Sequence, residues 1–171
     1  MVEHRRRLDK VFDPAFLDDI DGWSLDELRD HHVECLEIET EVSYVRRVAQ
    51  ARIDILEAEL GRRAAGRSVG DLIAALPEIL ADEGPRAPAG KTRLMRHLAP
   101  SMSIQWQRGL EHLITDGTLA DLPSIGEDEL RSTIQQLGEL EQQVSQQRRA
   151  LHQVIDRMDG ALAARHTVGQ A

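Results

Sequence analysis

The chain has little of what stabilises many small folds. A single cysteine, Cys35, among 171 residues rules out an internal disulfide framework and any multi-cysteine zinc site. The aromatic side chains are Phe12, Phe16, Trp23, Tyr44 and Trp106, too few for a β-sandwich or barrel, whose strands favour aromatic and β-branched residues. No apolar run approaches the ~20 residues of a membrane span. Arg5-Arg6-Arg7 is not followed by the apolar stretch of a secretory signal. Positive charge is also short: 21 Lys+Arg against 30 Asp+Glu give a net charge of −9, which argues against direct DNA binding and against an anionic membrane surface. The class that remains is a soluble, cytoplasmic, acidic helical protein.

Proline is scarce in an informative way. The six prolines are Pro14, Pro77, Pro85, Pro88, Pro100 and Pro123, and none falls in 24–65 or 124–171. Proline costs about 3 kcal/mol inside a helix, so two such windows predict two long helices. Each opens with an S-x-x-E capping pattern, Ser24 to Glu27 and Ser124 to Glu127. Gly61 and Gly66 act as stop signals for the first. The expected organisation is a tail over 1–23 and a first coiled-coil helix over 24–66. A middle segment of short helices over 67–123, a second coiled-coil helix over 124–165 and a tail over 166–171 follow. Within the middle segment, 68–82 reads as a helix bent or broken at Pro77, and 94–98 and 104–114 as two more. The fold class is all-α, with the two long helices packed as a coiled coil.

The chain also repeats itself. At an offset of 102 residues, Asp26-Glu27-Leu28-Arg29 falls on Asp128-Glu129-Leu130-Arg131, and Glu39, Val42, Ser43, Arg46, Arg47, Ile53 and Asp54 fall on Glu141, Val144, Ser145, Arg148, Arg149, Ile155 and Asp156. On a helical wheel, Cys35, Ile38, Val42, Ala49, Ile53, Leu56 and Leu60 form one apolar seam. Leu137, Leu140, Val144, Leu151, Ile155, Met158 and Leu162 form its counterpart. Beside each seam runs a narrow polar rail: Glu39, Ser43, Arg46, Gln50 and Asp54 in the first copy, and Glu141, Ser145, Arg148, His152 and Asp156 in the second.

A solvated helix flank does not require the same polar residues in the same order twice. Arginine offers a planar fork for phosphate or for the O6/N7 edge of guanine. Carboxylates accept from guanine N1–H and N2–H, and serine and glutamine complete a hydrogen-bonding shell. A small purine nucleotide fits this mixture better than a simple anion, which the acids would repel. If the helices pair antiparallel, Arg46, Arg47, Arg148 and Arg149 come together as a local positive cluster. Over 26–60 ten acids outnumber four arginines, yet two of those arginines sit at the centre of the rail.

The pattern E-x3-S-x2-R-x3-Q-x3-D, once on each long helix, resembles the cyclic-di-GMP signature of the RsiG anti-sigma factors of actinobacteria. Glu39-Ser43-Arg46-Gln50-Asp54 matches at all five positions, and Glu141-Ser145-Arg148-His152-Asp156 departs at one, with His152 in place of glutamine. The resemblance implies an antiparallel coiled coil that holds cyclic-di-GMP, as a dimer, on both helices. It further implies that the loaded form sequesters a flagellar-type, WhiG-like sigma factor and so represses late sporulation genes. Arg46 and Arg148 would contact guanine or phosphate, Glu39, Glu141, Asp54 and Asp156 would read guanine donors, and Ser43, Ser145, Gln50 and His152 would complete the shell. The alternative is a structural coiled-coil adaptor or homodimerisation protein that binds no small molecule.

Other signals weigh little. Gly90-Lys91-Thr92 has the end of a phosphate-binding loop, but Pro85 stands at its required first glycine. His31 and His32 point about 100° apart on a helix, unlike the i, i+4 pair of a zinc site. Neither a metal nor an enzymatic activity is expected.

Overall fold

A computed structural model of the chain describes residues 2–81 and 122–168, with side chains over 7–81 and 122–165. Helix α1 covers Val2–Val11, a 3-10 turn covers Pro14–Leu17, and the long helix α2 covers Leu25–Ala64. Helix α3 covers Val69–Ile79, a second 3-10 turn covers Leu122–Ser124, and the long helix α4 covers Glu127–Val168. No strand occurs among the described residues. The expected all-α architecture with two long packed helices is what the structure has. The middle helices expected at 94–98 and 104–114 lie outside the described residues.

The described residues divide into two units, 2–44 with 143–168, and 45–81 with 122–142. In each unit α2 and α4 run antiparallel. In the first, Trp23, His32 and Glu39 meet Arg165, Asp159 and His152, so partners on α4 descend as α2 ascends. In the second, Arg46 meets Glu141 and Arg63 meets Ile125.

The seams supply the cores. In the first unit Leu28, Cys35, Ile38 and Val42 of α2 are buried, as are Val144, Leu151, Ile155 and Met158 of α4. In the second, Val45, Ala49 and Leu56 are buried on α2, and Leu130, Leu137 and Leu140 on α4. Each fully buried leucine, isoleucine or valine contributes about 1.5–3 kcal/mol relative to exposure. Ile53, Leu60 and Leu162, also assigned to the seams, are only half-buried.

Several local features differ from the sequence reading. Residues 2–23 are not simply a tail, because α1 buries Leu8 and Val11 and meets α2 through ion pairs. Arg7 lies 3.5, 3.0 and 3.6 Å from the carboxylates of Glu34, Glu37 and Glu41, and Lys10 donates to Glu34 at 3.2 Å. The acidity of the first long helix is thus locally neutralised by α1. The start of α2 follows its capping box: the Ser24 N–H donates to Glu27 at 2.8 Å and the Glu27 N–H to Ser24 Oγ at 3.2 Å. Helix α2 passes through Gly61 and stops at Gly66, whose φ of 63° suits glycine. The Arg67 N–H then bonds the Arg62 carbonyl, and the Gly66 N–H the Arg63 carbonyl, closing the last turn. Helix α3 runs on through Pro77, the missing N–H of which would have met the carbonyl of exposed Ile73. Helix α4 begins at Glu127, after a 3-10 turn that contains Ser124.

Candidate functional site

The seams turn the rails toward the rim of the helix pair rather than into open solvent. Glu39, Ser43, Arg46, Asp54, Glu141, Ser145, Arg148 and His152 are half-buried, and Gln50 and Asp156 are exposed. Because the helices are antiparallel, the glutamate of one motif copy meets the arginine of the other. Arg148 Nε lies 3.2 Å from Glu39 Oε1 in the first unit, and Arg46 Nη1 lies 3.7 Å from Glu141 Oε1 in the second. Glu39 matches Glu141 and Arg148 matches Arg46 at the 102-residue offset, so the same cross-helix pair forms once in each unit. The structure therefore gives two half-sites, each built from the start of one motif copy and the later part of the other.

The guanidinium Nε atoms of the two half-sites are not equally satisfied. In the first, Glu39 Oε1 accepts from Ser43 Oγ at 2.8 Å and Arg148 Nε at 3.2 Å, and stands 3.1 Å from His152 Nε2. Arg148 Nε also donates to Ser43 Oγ at 3.0 Å. Burial pushes the Glu39 carboxyl up, but the hydrogen bonds from His152, Ser43 and Arg148 together outweigh it and hold the pKa below the ordinary glutamate value. In the second, Gln50 does not cross to the partner helix but donates to Asp54 on its own helix at 3.0 Å. Arg46 Nε is buried and has no acceptor. A buried N–H without a partner carries a desolvation cost that a ligand acceptor would relieve.

Both motif copies thus lie beside the seam of a paired helix, with a guanidinium facing a carboxylate at the centre of each half-site. The RsiG-like family matches this sequence over residues 14–80 and 116–171, which include every rail residue. The chain belongs to the RsiG-like family. None of the curated proteins compared with it matches. The matched stretches contain α2, α3 and α4 and leave α1 outside.

Two arginines escaped the sequence reading. Arg63 donates to the main-chain carbonyls of Ile125 at 2.7 Å and Leu122 at 2.8 Å. Arg165 donates to those of Trp23 at 2.7 Å and Ile20 at 2.8 Å. Each holds the lead-in of the facing helix and so fixes the antiparallel register on which the half-sites depend. Arg63 is itself oriented by Glu59, which accepts from Arg63 Nε at 2.6 Å and from Arg62 at 2.6 and 2.8 Å. The hydrogen bond from Arg62 is the largest influence on Glu59 and, with that from Arg63, overcomes burial to bring its pKa down to about 2. Main-chain acceptors carry no side-chain signature, although Arg63 and Arg165 do match at the 102-residue offset.

The signals set aside also find places. His31 packs edge-on against Phe16 and is tilted against Trp23, with centroids 5.5 and 4.7 Å away. His32 approaches Asp159 across the helix pair. Cys35 is buried in the seam. Among the described residues no group of three or more His, Cys, Asp or Glu could hold a metal ion. Among them, too, no helix is long and apolar enough to cross a membrane.

Proposed function

We propose that the chain is an anti-sigma factor whose two half-sites each take one molecule of cyclic-di-GMP, and that the loaded form sequesters a flagellar-type, WhiG-like sigma factor. The observation that carries the nucleotide reading is the repeated Glu–Arg pair, together with the buried, unpartnered Arg46 Nε. Membership of the RsiG-like family supports the anti-sigma role.

The chemistry follows from the residues present. Arg46 and Arg148 offer donors to phosphate oxygens or the guanine O6/N7 edge. Glu39 and Glu141 offer acceptors to guanine N1–H and N2–H, and so do Asp54 and Asp156. Ser43, Ser145, Gln50 and His152 supply neutral donors and acceptors around them. Without ligand, the rails present carboxylates on a chain of net charge −9. A bound nucleotide engages those groups and gives the rim a surface that a protein can cover. No nucleophile or general base is assigned, and the protein acts by binding rather than catalysis. In the cell this places it in the cytoplasm as a second-messenger-dependent repressor of late sporulation genes.

Co-purification with a WhiG-type sigma factor tests this reading. The sigma factor is expected on the immobilised chain with cyclic-di-GMP and not without it, and Arg46→Ala and Arg148→Ala should each abolish retention. Retention that ignores the nucleotide, or none in any condition, contradicts it.

A further inference from the structure

The acids of α2 divide by face. Glu39 belongs to the rail, whereas Glu34, Glu37 and Glu41 lie about 140–160° around the helix from it. Those three carboxylates form a flank that α1 covers. Arg7 Nη2 donates to Glu37 at 3.0 Å, and its other nitrogens stand 3.5 Å from Glu34 and 3.6 Å from Glu41. Lys10 Nζ donates to Glu34 at 3.2 Å. Between and beside these cations, Leu8 and Val11 are buried. The occupant of the flank is thus a short stretch of basic amphipathic helix, Arg7 to Val11.

The fastening is light. Helix α1 has 10 residues, fewer than a helix needs to persist alone in water. Its ion pairs are open to solvent, with the Glu37 side chain 62% and the Lys10 side chain 48% exposed, and exposed pairs contribute little. Elements with few buried apolar side chains open locally. Opening leaves Glu34, Glu37 and Glu41 without Arg7 and Lys10 and uncovers the apolar surface that shelters Leu8 and Val11. The stretch matched by the RsiG-like family begins at residue 14, so the flank lies inside it and α1 outside.

From these observations, and resting on the anti-sigma reading above, we propose that the Glu34–Glu37–Glu41 flank is a docking surface for a basic amphipathic helix of the sigma factor, and that α1 occupies it in the free chain. Three carboxylates repel nucleic acid and anionic lipid, so charge selects a basic protein segment. That segment repeats the chemistry of α1: two cations three residues apart, each followed by an aliphatic residue. Because the flank faces away from the rail, docking there needs no nucleotide. Helix α1 withholds this contact and so keeps retention of the sigma factor dependent on cyclic-di-GMP.

Retention of a WhiG-type sigma factor on the immobilised full chain without cyclic-di-GMP tests the proposal. Arg7→Glu combined with Lys10→Glu sets like charge against the flank and should free it. Trypsin should then cut after Arg5 and Arg6 faster than in the wild type, and unchanged cutting overturns the light fastening. If α1 covers the flank in about nine molecules of ten, its release should raise the nucleotide-free affinity about tenfold. Adding Glu34→Gln and Glu37→Gln to the same variant should abolish the gain. A peptide of residues 2–12 in excess should compete the sigma factor from the freed flank, and the same peptide with both charge reversals should not. Nucleotide-free retention equal to the wild type overturns the proposal, and so does a gain that survives the Glu34 and Glu37 changes. Loss of nucleotide-dependent retention in the charge-reversal variant overturns it too, because α1 would then be part of the interface. No retention by the wild type or the variant in any condition overturns the anti-sigma reading itself, and this proposal with it. Circular dichroism of the variants, expected to match the wild type closely, shows that the long helices are intact.

Discussion

Arg63 and Arg165 stand 102 residues apart in sequence and make the same contact. Each guanidinium donates to an equivalent pair of main-chain carbonyls, those of Leu122 and Ile125 in one case and of Ile20 and Trp23 in the other, and Arg165 donates as well to that of Asp21 at 3.3 Å. The acceptors are also 102 residues apart, so the internal repeat extends beyond the seam and rail to the devices that set helix register.

Arg63→Ala and Arg165→Ala should each lower the stability of the fold by about 1–3 kcal/mol, because two part-buried carbonyls lose their donors. The Arg63 change should be the larger, since Glu59 is 2% exposed and loses one of its two guanidinium partners. Lysine should recover little at either position, having no planar fork to span two carbonyls. Urea unfolding midpoints measure all four variants, and losses no larger than for a solvent-exposed arginine such as Arg131 would contradict the clamp.

Acid should destabilise the protein partly through Glu59. Its folded pKa of about 2 lies below the ordinary value of 4.5. The contribution is therefore complete above about pH 4.5 and lost as pH falls toward 2. Its size is on the order of 3 kcal/mol. Glu39, also lowered, acts in the same direction. Glu59→Gln should flatten the fall in stability between pH 4.5 and 2, as followed by circular dichroism during denaturant titration at each pH. A slope identical to that of the wild type would remove Glu59 from the account.

Cys35 should be unreactive in the native protein. It is fully buried on the α2 seam, and burial, with the Glu34 charge nearby, pushes its thiol up to about 11. A thiol-specific reagent at pH 8 should label it only as fast as the protein opens, and at once in denaturant. Rapid labelling without denaturant would mean that the seam around Cys35 is not closed.

Much of this arrangement was legible in the residues. Proline-free windows gave the two long helices, and the 3.6-residue periodicity gave Ile38, Val42, Val144 and Ile155 as core. The offset repeat gave the rails, and in an antiparallel pair it brings Glu39 to Arg148 and Glu141 to Arg46. Helix α1 was hidden because its support, the contacts of Arg7 and Lys10 with acids of α2, cannot be read from its own residues. Glu41, Arg52 and Glu59 are buried although charged, and nothing in their spacing distinguishes them from exposed helix charges. The different roles of Gln50 and His152 were also invisible, since both residue types donate and accept. Only the structure shows that one bonds along its helix and the other across.

Titration calorimetry of the purified chain with cyclic-di-GMP at pH 8 tests the central claim most directly. Two nucleotides per chain should bind, and Arg46→Ala and Arg148→Ala should each remove about one of them while the fold remains intact by circular dichroism. No binding by the wild-type chain, or binding that neither arginine change alters, would contradict the account.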